Sequence, residues 1–172
     1  YANTTQVNHF FRGDESKRLI LSVLPFFHVY GMTCCMNLAI AAGTTMILVP
    51  RFVPAEIAKI IKDYRPTFFP GVPTMFLALL NCPDFEDFAT VMVYSSGAAP
   101  LPQEVFNGYA QKLAGSESIL AEGYGLSEAS PVTHANPIWG ERRTGSIGLP
   151  WPDTDARIVD PATGEVLPPG VV

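Results

Sequence analysis

From Arg18 onward the chain alternates short apolar runs with longer amphipathic ones. Leu19 to Leu24 carries almost no polar side chain and is short, which predicts a strand buried on both faces. Val29 to Ala42 is long enough for a helix and is closed by Gly43, a residue that tolerates the left-handed turn at a helix end. Thr44 to Val49 is the next strand. Pro54 then opens an amphipathic helix over Ala55 to Tyr64: Ile57, Ile60 and Ile61 fall at helical spacing, while Glu56, Lys59, Lys62 and Asp63 take the wet face. Thr67 to Phe69 predicts a short strand, Pro73 to Asn81 a helix, Val91 to Tyr94 a strand, Pro102 to Leu113 a helix and Ser118 to Ala121 a strand. Strands alternating with helices specify an α/β class with a parallel sheet, because a parallel pair needs a long crossover between its members. After about Pro131 the texture changes to Pro, Gly and Thr with short apolar runs at Gly145 to Gly148 and Ala156 to Val159. The division expected is therefore an α/β subdomain over 1–130 and the start of a β-rich subdomain over 131–172.

Composition narrows the classes. Of 172 residues, 48% are hydrophobic and 16% charged, enough apolar mass for a core. The net charge of −5 comes without any cluster of basic residues, which argues against nucleic acid as a partner. The longest apolar run, Met32 to Ala42, is broken by Asn37 and too short for a bilayer core of about 30 Å. Cys34 and Cys35 are adjacent, so in a helix they point about 100° apart and read as core thiols rather than as a metal pair. With Cys82 the count is odd, and no signal peptide opens the chain, which points to a reducing cytosolic setting. Tyr1 enters a polar, helix-like stretch without an initiator Met, and Pro168-Pro169-Gly170-Val171-Val172 is a turn that promises a further strand. The expectation is an internal piece of a longer chain.

Three segments carry candidate chemistry. Gly123-Tyr124-Gly125-Leu126-Ser127-Glu128 combines two glycines that let the backbone approach a flat ligand, a ring for stacking, and a hydroxyl beside a carboxylate suited to a phosphate-bound Mg²⁺. Its plain alternative is a tight glycine turn with a surface Ser-Glu pair. Ser95-Ser96-Gly97-Ala98-Ala99-Pro100 leaves a strand at the carboxyl edge of the sheet, where open α/β sheets bind ligands, although an ordinary strand-to-helix connection has the same composition. In Leu24-Pro25-Phe26-Phe27-His28-Val29-Tyr30-Gly31 a histidine follows two aromatics, and a lone histidine in apolar company is more often a hydrogen-bonded core residue than a catalyst. His9 and His134 have less to recommend them. The dinucleotide fingerprint fails at Glu128, and neither a G-x-S-x-G elbow nor a phosphate-binding G-x-x-x-x-G-K-[ST] loop occurs.

In this order, together with Pro70-Gly71-Val72-Pro73-Thr74, these segments resemble the adenylate-forming (AMP-binding) superfamily, in its acyl-CoA synthetase branch. Val132-Thr133-His134-Ala135-Asn136-Pro137 and Gly145-Ser146-Ile147-Gly148-Leu149-Pro150 are similar to phrases of bacterial long-chain fatty acid–CoA ligases, and the similarity runs from about Leu19 to Gly170. It implies a flavodoxin-like layered sheet belonging to the large N-terminal domain. It also implies two half-reactions: a fatty acid carboxylate attacks ATP to give acyl-adenylate and pyrophosphate, and coenzyme A then displaces AMP.

Residue by residue, the resemblance implies that Tyr124 stacks on adenine and that Gly97, Ala98 and Ala99 line the base through the main chain. Gly123, Gly125 and Leu126 complete the nucleotide wall. Glu128 holds Mg²⁺ on the ATP phosphates, Ser127 stands near the same phosphates, Gly31 and Gly123 border the acyl pocket, and His28 stands near the reacting carboxylate. The implied partners are fatty acid, ATP and CoA, with the rest of the parent chain. The likeness leaves room for peripheral contact with the inner face of the membrane and for a homodimer of a cytoplasmic protein. The superfamily's phosphate loop is expected before Tyr1, and its ribose aspartate, hinge and lysine-bearing C-terminal domain after Val172, so the chain alone is expected to be inactive. Two departures stand out: Met32 where some relatives carry an aromatic gate, and a short segment between Pro83 and Ser95. Other readings of the same residues are a different adenylate-forming enzyme, aryl-CoA ligase or luciferase-like, and a nucleotide-binding module without chemistry.

Overall fold

A computed structural model describes residues 1–10, 18–83 and 86–171. Seven strands form one sheet in the order β2-β1-β3-β4-β5-β6-β7. The first five are parallel: β1 (Leu19–Ser22), β2 (Thr45–Leu48), β3 (Phe68–Gly71), β4 (Val93–Ser96) and β5 (Ile119–Gly125). The last two, β6 (Val132–Ala135) and β7 (Leu149–Pro150), continue the sheet antiparallel. The order of the first five is that of doubly wound flavodoxin-like sheets.

The order fixes where the helices go. The first crossover leaves β1 in one direction and the later ones run in the other, so right-handed connections put them on opposite faces. One face therefore carries α1 (Ala2–Phe10), α2 (Val29–Gly31), a π-helical stretch over Met32–Asn37 and α3 (Leu38–Ala42). The other carries α4 (Pro54–Tyr64), α5 (Pro73–Leu80) and α6 (Gln103–Lys112). Helix α4 begins with Pro54 in the first turn, buries Ile57, Ala58 and Ile61, and ends where Arg65 turns left-handed (φ 52°) ahead of Pro66.

Alternation along the strands deals their side chains to two cores. Leu21, Phe69, Tyr94 and Leu120 meet α4, α5 and α6 with Phe76, Phe88 and Tyr109. Ile20, Phe68 and Val93 meet the other group with Val7, Cys34, Cys35, Leu38 and Trp151.

Several boundaries differ from the periodicity. β3 and β4 run to Gly71 and Ser96, beyond the expected Phe69 and Tyr94, because parallel partners hold them in register (Phe68↔Val93 through Gly71↔Ser96). The helix expected over Val29 to Ala42 contains the π-helical turn, a departure that residue periodicity does not reveal. Past Pro131 the expected strands are corrected: Gly145 and Gly148 hold φ of 72° and 90°, incompatible with an extended strand, and of Ala156 to Val159 only Val159 pairs, with Val166. β6 forms instead, drawn onto the open edge of β5. The short connection near Pro83 includes residues 84 and 85, which lie outside the described residues, as does Val172.

Candidate functional site

The carboxyl ends of β4 and β5 converge with α2 on a cavity of about 230 Å³. Its wall includes Phe68 and Val93 at the starts of two strands and Gly97 just past the end of one. From Val93 to Gly97 is four residue steps, so the cavity runs about 13 Å along the sheet. The inner wall is apolar: Val7 and Phe10 from α1, Cys34 from the π-helical turn, Phe68, Val93, Val132, Ala135 and Trp151. The mouth is polar and carries His28, Ser95, Ser96, Glu122, Tyr124 and Ser127.

The motif around Tyr124 is not a loop but the end of β5. Its glycines answer to the returning strand: a Cβ at Gly125 would collide with the carbonyl oxygen of Pro131, and one at Gly123 would stand 3.3 Å from that of His134. The expected reason, close approach of a flat ligand, is thus joined by a structural one. Pairing shifts register between Tyr124 and Gly125, and the Tyr124 ring stands on the lip, 47% exposed, with His134 edge-on at 6.3 Å. A single 3₁₀ turn, Ser127–Ala129, follows; Ser127 joins the cavity wall, while Glu128, the next residue, is exposed and outside that wall.

Of the segment after β4, Gly97 and Ala98 line the cavity, and Ala99 is exposed next to them. Ala98 has φ of 67°, a left-handed conformation rare for a residue with a Cβ. Such strain concentrates where backbone groups are aimed at a ligand. A Cβ at Gly97 would press on the Tyr30 ring at 3.2 Å, and the Tyr30 hydroxyl donates to the Ser95 carbonyl at 2.9 Å. Tyr30 thereby fastens α2 to β4. Sinking that hydroxyl between the elements pushes its pKa well above the ordinary value, with the Cys34 thiol adding to the effect. His28 is exposed at the rim, where its Nδ1 accepts the Tyr30 backbone N–H at 3.2 Å.

Gly31 is not brought into this wall. It is buried, and a Cβ there would meet the Pro25 carbonyl oxygen at 2.5 Å and the Leu24 Cβ at 3.0 Å. Met32 is also absent from the wall. Cys34 and Cys35 are free and buried, as expected of core thiols; burial raises both, Cys35 to about 12.

Residues to which the sequence reading gave no role complete the site. Ser96 and Glu122 are register partners on β4 and β5, 0% and 9% exposed. The Leu101 N–H donates to Glu122 Oε1 at 3.0 Å, but Oε2 and the Ser96 hydroxyl have no hydrogen-bond partner among the described residues. A carboxylate inside the apolar run Ile119-Leu120-Ala121 was the available signal for Glu122. Trp151 carried none. Among the described residues no three His, Cys, Asp or Glu side chains gather to hold a metal. One carboxylate beside one hydroxyl is the set that suits Mg²⁺ carried on substrate phosphates, since that ion keeps waters and takes few protein ligands.

A model of the AMP-binding enzyme family matches residues 1–172. The chain belongs to that family. Among AMP-binding relatives, a long-chain-fatty-acid–CoA ligase of Bacillus subtilis (strain 168) is 50% identical over 157 residues, covering 90% of this chain and 28% of the relative. A long-chain-fatty-acid–CoA ligase of Escherichia coli O6:H1 is 36% identical over 98% of this chain and 30% of its own length. The ATP-bound structure of MatB from Rhodopseudomonas palustris superimposes with a TM-score of 0.88 at 28% identity, covering 99% of this chain and 33% of MatB. A long-chain-fatty-acid–CoA ligase from Archaeoglobus fulgidus shares the fold at a TM-score of 0.83, with 20% identity over 99% of this chain and 35% of its own. The chain spans less than a third of the length of the two ligases it matches in sequence.

Proposed function

We propose that the protein containing this chain is a long-chain fatty acid–CoA ligase, which condenses a fatty acid with ATP to acyl-adenylate and pyrophosphate and then passes the acyl group to coenzyme A with release of AMP. The observation that carries this reading is one cavity, about 13 Å long, with an apolar inner end to the one side and, to the other, a mouth that holds a ring and a strained main-chain segment suited to a nucleotide. An acyl chain fits the first and adenosine the second, so carboxylate and α-phosphate meet at the mouth.

Adenine stacks on Tyr124 and lies along Gly97, Ala98 and Ala99, with Gly123, Gly125 and Leu126 forming the rest of that wall. The unpartnered Glu122 Oε2 accepts the exocyclic amino group, which satisfies a buried acceptor that otherwise costs roughly 1–3 kcal/mol. Ser127 donates to phosphate oxygens and Glu128 faces the same phosphates through Mg²⁺, whose charge neutralises the triphosphate. His28, whose Nδ1 is taken by the Tyr30 N–H, reaches the carboxylate end of the acid through Nε2. Attack is in line, so the chain's contribution is positioning and fixed dipoles rather than a covalent nucleophile. We read 131–172 as the beginning of a β-rich subdomain of a cytoplasmic enzyme that meets the inner membrane face peripherally.

Palmitate-dependent ATP–pyrophosphate exchange by the full-length protein, followed by thioester formation on adding coenzyme A, tests the reading. Exchange with no added acid preference, or none at all, sinks it. A 4-coumarate–CoA ligase-like relative from Oryza sativa, 32% identical over 91% of this chain, favours an aryl acid as the second reading. A panel of aryl and alkyl acids separates the two.

A further inference from the structure

The cavity has a polar group in its apolar wall. Trp151 is 6% exposed and follows β7 directly; its backbone N–H donates to the Thr133 carbonyl at 2.9 Å, and its ring stacks on Phe10 with centroids 5.0 Å apart at 20°. These contacts hold the indole against the cavity it lines. Its Nε1 is buried and has no acceptor among the described residues. An indole N–H can only donate, so no change of tautomer relieves it. A fatty chain made only of methylenes would seal this donor in and leave it unpaired, which a buried polar group resists.

We propose that Trp151 is a specificity-determining residue for the acyl cavity, and that its indole N–H selects a fatty acid carrying an oxygen acceptor, a hydroxyl or keto group, along its chain. This rests on the ligase reading above. The neighbours support it. Trp151 shares its apolar cluster with Val7, Cys34 and Ala135 and stacks on Phe10, and the side-chain carbonyls placed near it are already engaged: Gln6, which donates to the Pro152 carbonyl, accepts from Asn3 Nδ2 at 3.0 Å, and Asn3 Oδ1 accepts the Val132 N–H at 3.1 Å. The Cys34 thiol stays protonated, since burial raises it, and offers only a weak sulfur acceptor. The Tyr30 hydroxyl is already engaged with the Ser95 carbonyl at 2.9 Å and the Ser95 hydroxyl at 3.2 Å. A ligand oxygen is the group that would complete the wall. Sites built to hydrogen-bond a substrate oxygen discriminate far better than apolar pockets that merely tolerate it.

The test uses the full-length ligase and a positional series of hydroxy- and keto-palmitates beside palmitate, each read as kcat/KM for pyrophosphate release. The expected result is one oxygen position used about tenfold better than palmitate, the size of one buried hydrogen bond gained. Trp151→Phe keeps the stack on Phe10 and removes the donor, and should bring the ratio of oxygenated acid to palmitate back to near one. The wild-type series decides even where that variant folds badly: no preferred position at any carbon overturns the inference, with a water or an acceptor from the rest of the parent chain then left as the partner of Nε1. A preference that persists in Trp151→Phe overturns the assignment to Trp151. If no acid, plain or oxygenated, supports pyrophosphate release, the ligase reading falls and this inference falls with it.

Discussion

The two faces of the sheet solve opposite problems with similar residues. On the α4–α6 face, Phe69, Phe76, Phe88, Tyr94 and Tyr109 lock edge to face, with Phe76–Tyr109 centroids at 5.7 Å and Tyr94–Tyr109 at 5.0 Å. The Tyr94 hydroxyl donates to the Phe88 carbonyl at 2.7 Å, and burial drives the Tyr94 and Tyr109 phenols far above their ordinary pKa. On the α1–α3 face, Phe68, Val93 and Trp151 are as buried but stand back around the cavity. One face is filled and the other is left open; unpartnered Trp151 Nε1 belongs to the open one and the unpartnered Tyr109 hydroxyl to the filled one. The lesson is that the filled face supplies the stability that lets the other keep a cavity, since empty space bordered by apolar groups forfeits packing contacts.

The strongest way to break this comparison is to hollow the filled face. Phe76→Ala should cost about 3–5 kcal/mol in denaturant unfolding, because rigid neighbours cannot collapse into the space. Phe68→Ala, already bordering a cavity, should cost only about 2 kcal/mol. Equal losses would show that the faces do not differ in packing.

Glu128→Gln probes the open face without touching either core. Adenylate formation should fall on the order of 10²-fold while AMP binding holds, because the lost charge matters only with triphosphate and Mg²⁺ present. Pyrophosphate exchange reads the first and calorimetry the second; activity within twofold of wild type removes Glu128 from the site.

A smaller effect sharpens the boundary between wall and core. Since Gly31 packs on Pro25 and Leu24 rather than on the cavity, Gly31→Ala should lower stability by about 1–3 kcal/mol and lose activity equally on short and long acids. A selective loss on long acids would return Gly31 to the acyl pocket.

The smallest effect is in alkali. Unfolded thiols titrate near 9.0, whereas burial raises folded Cys35 to about 12. Below pH 9 both states keep the proton and stability is flat; above it only the unfolded state ionises, so stability falls as pH rises. Between pH 9 and 10 the fall should be about 1 kcal/mol for this thiol, and Cys35→Ala should remove it in melting curves taken across that range.

The sequence by itself determined the layered class, because periodicity and end signals are local: Pro54 and Pro73 open helices, Gly43 closes one, and Ile57 and Ile61 face inward. It also singled out Tyr124, Ser127 and Gly97 as candidates, and the fold brings all three to the wall of one cavity. Tertiary structure alone decided what those residues face. No spacing could reveal that Gly31 abuts a carbonyl, that Gly125 makes room for Pro131, or that β6 pairs with β5, because each depends on chain segments brought together from elsewhere. Glu122 and Ser96 became neighbours only through the β4–β5 register. Trp151 entered the cavity only when β7 joined the sheet and carried it against Phe10, 141 positions away in the chain. Hydrophobic patterning says which side of an element is buried; it is silent on where burial stops short of filling the space, and in this protein that unfilled space is the candidate site.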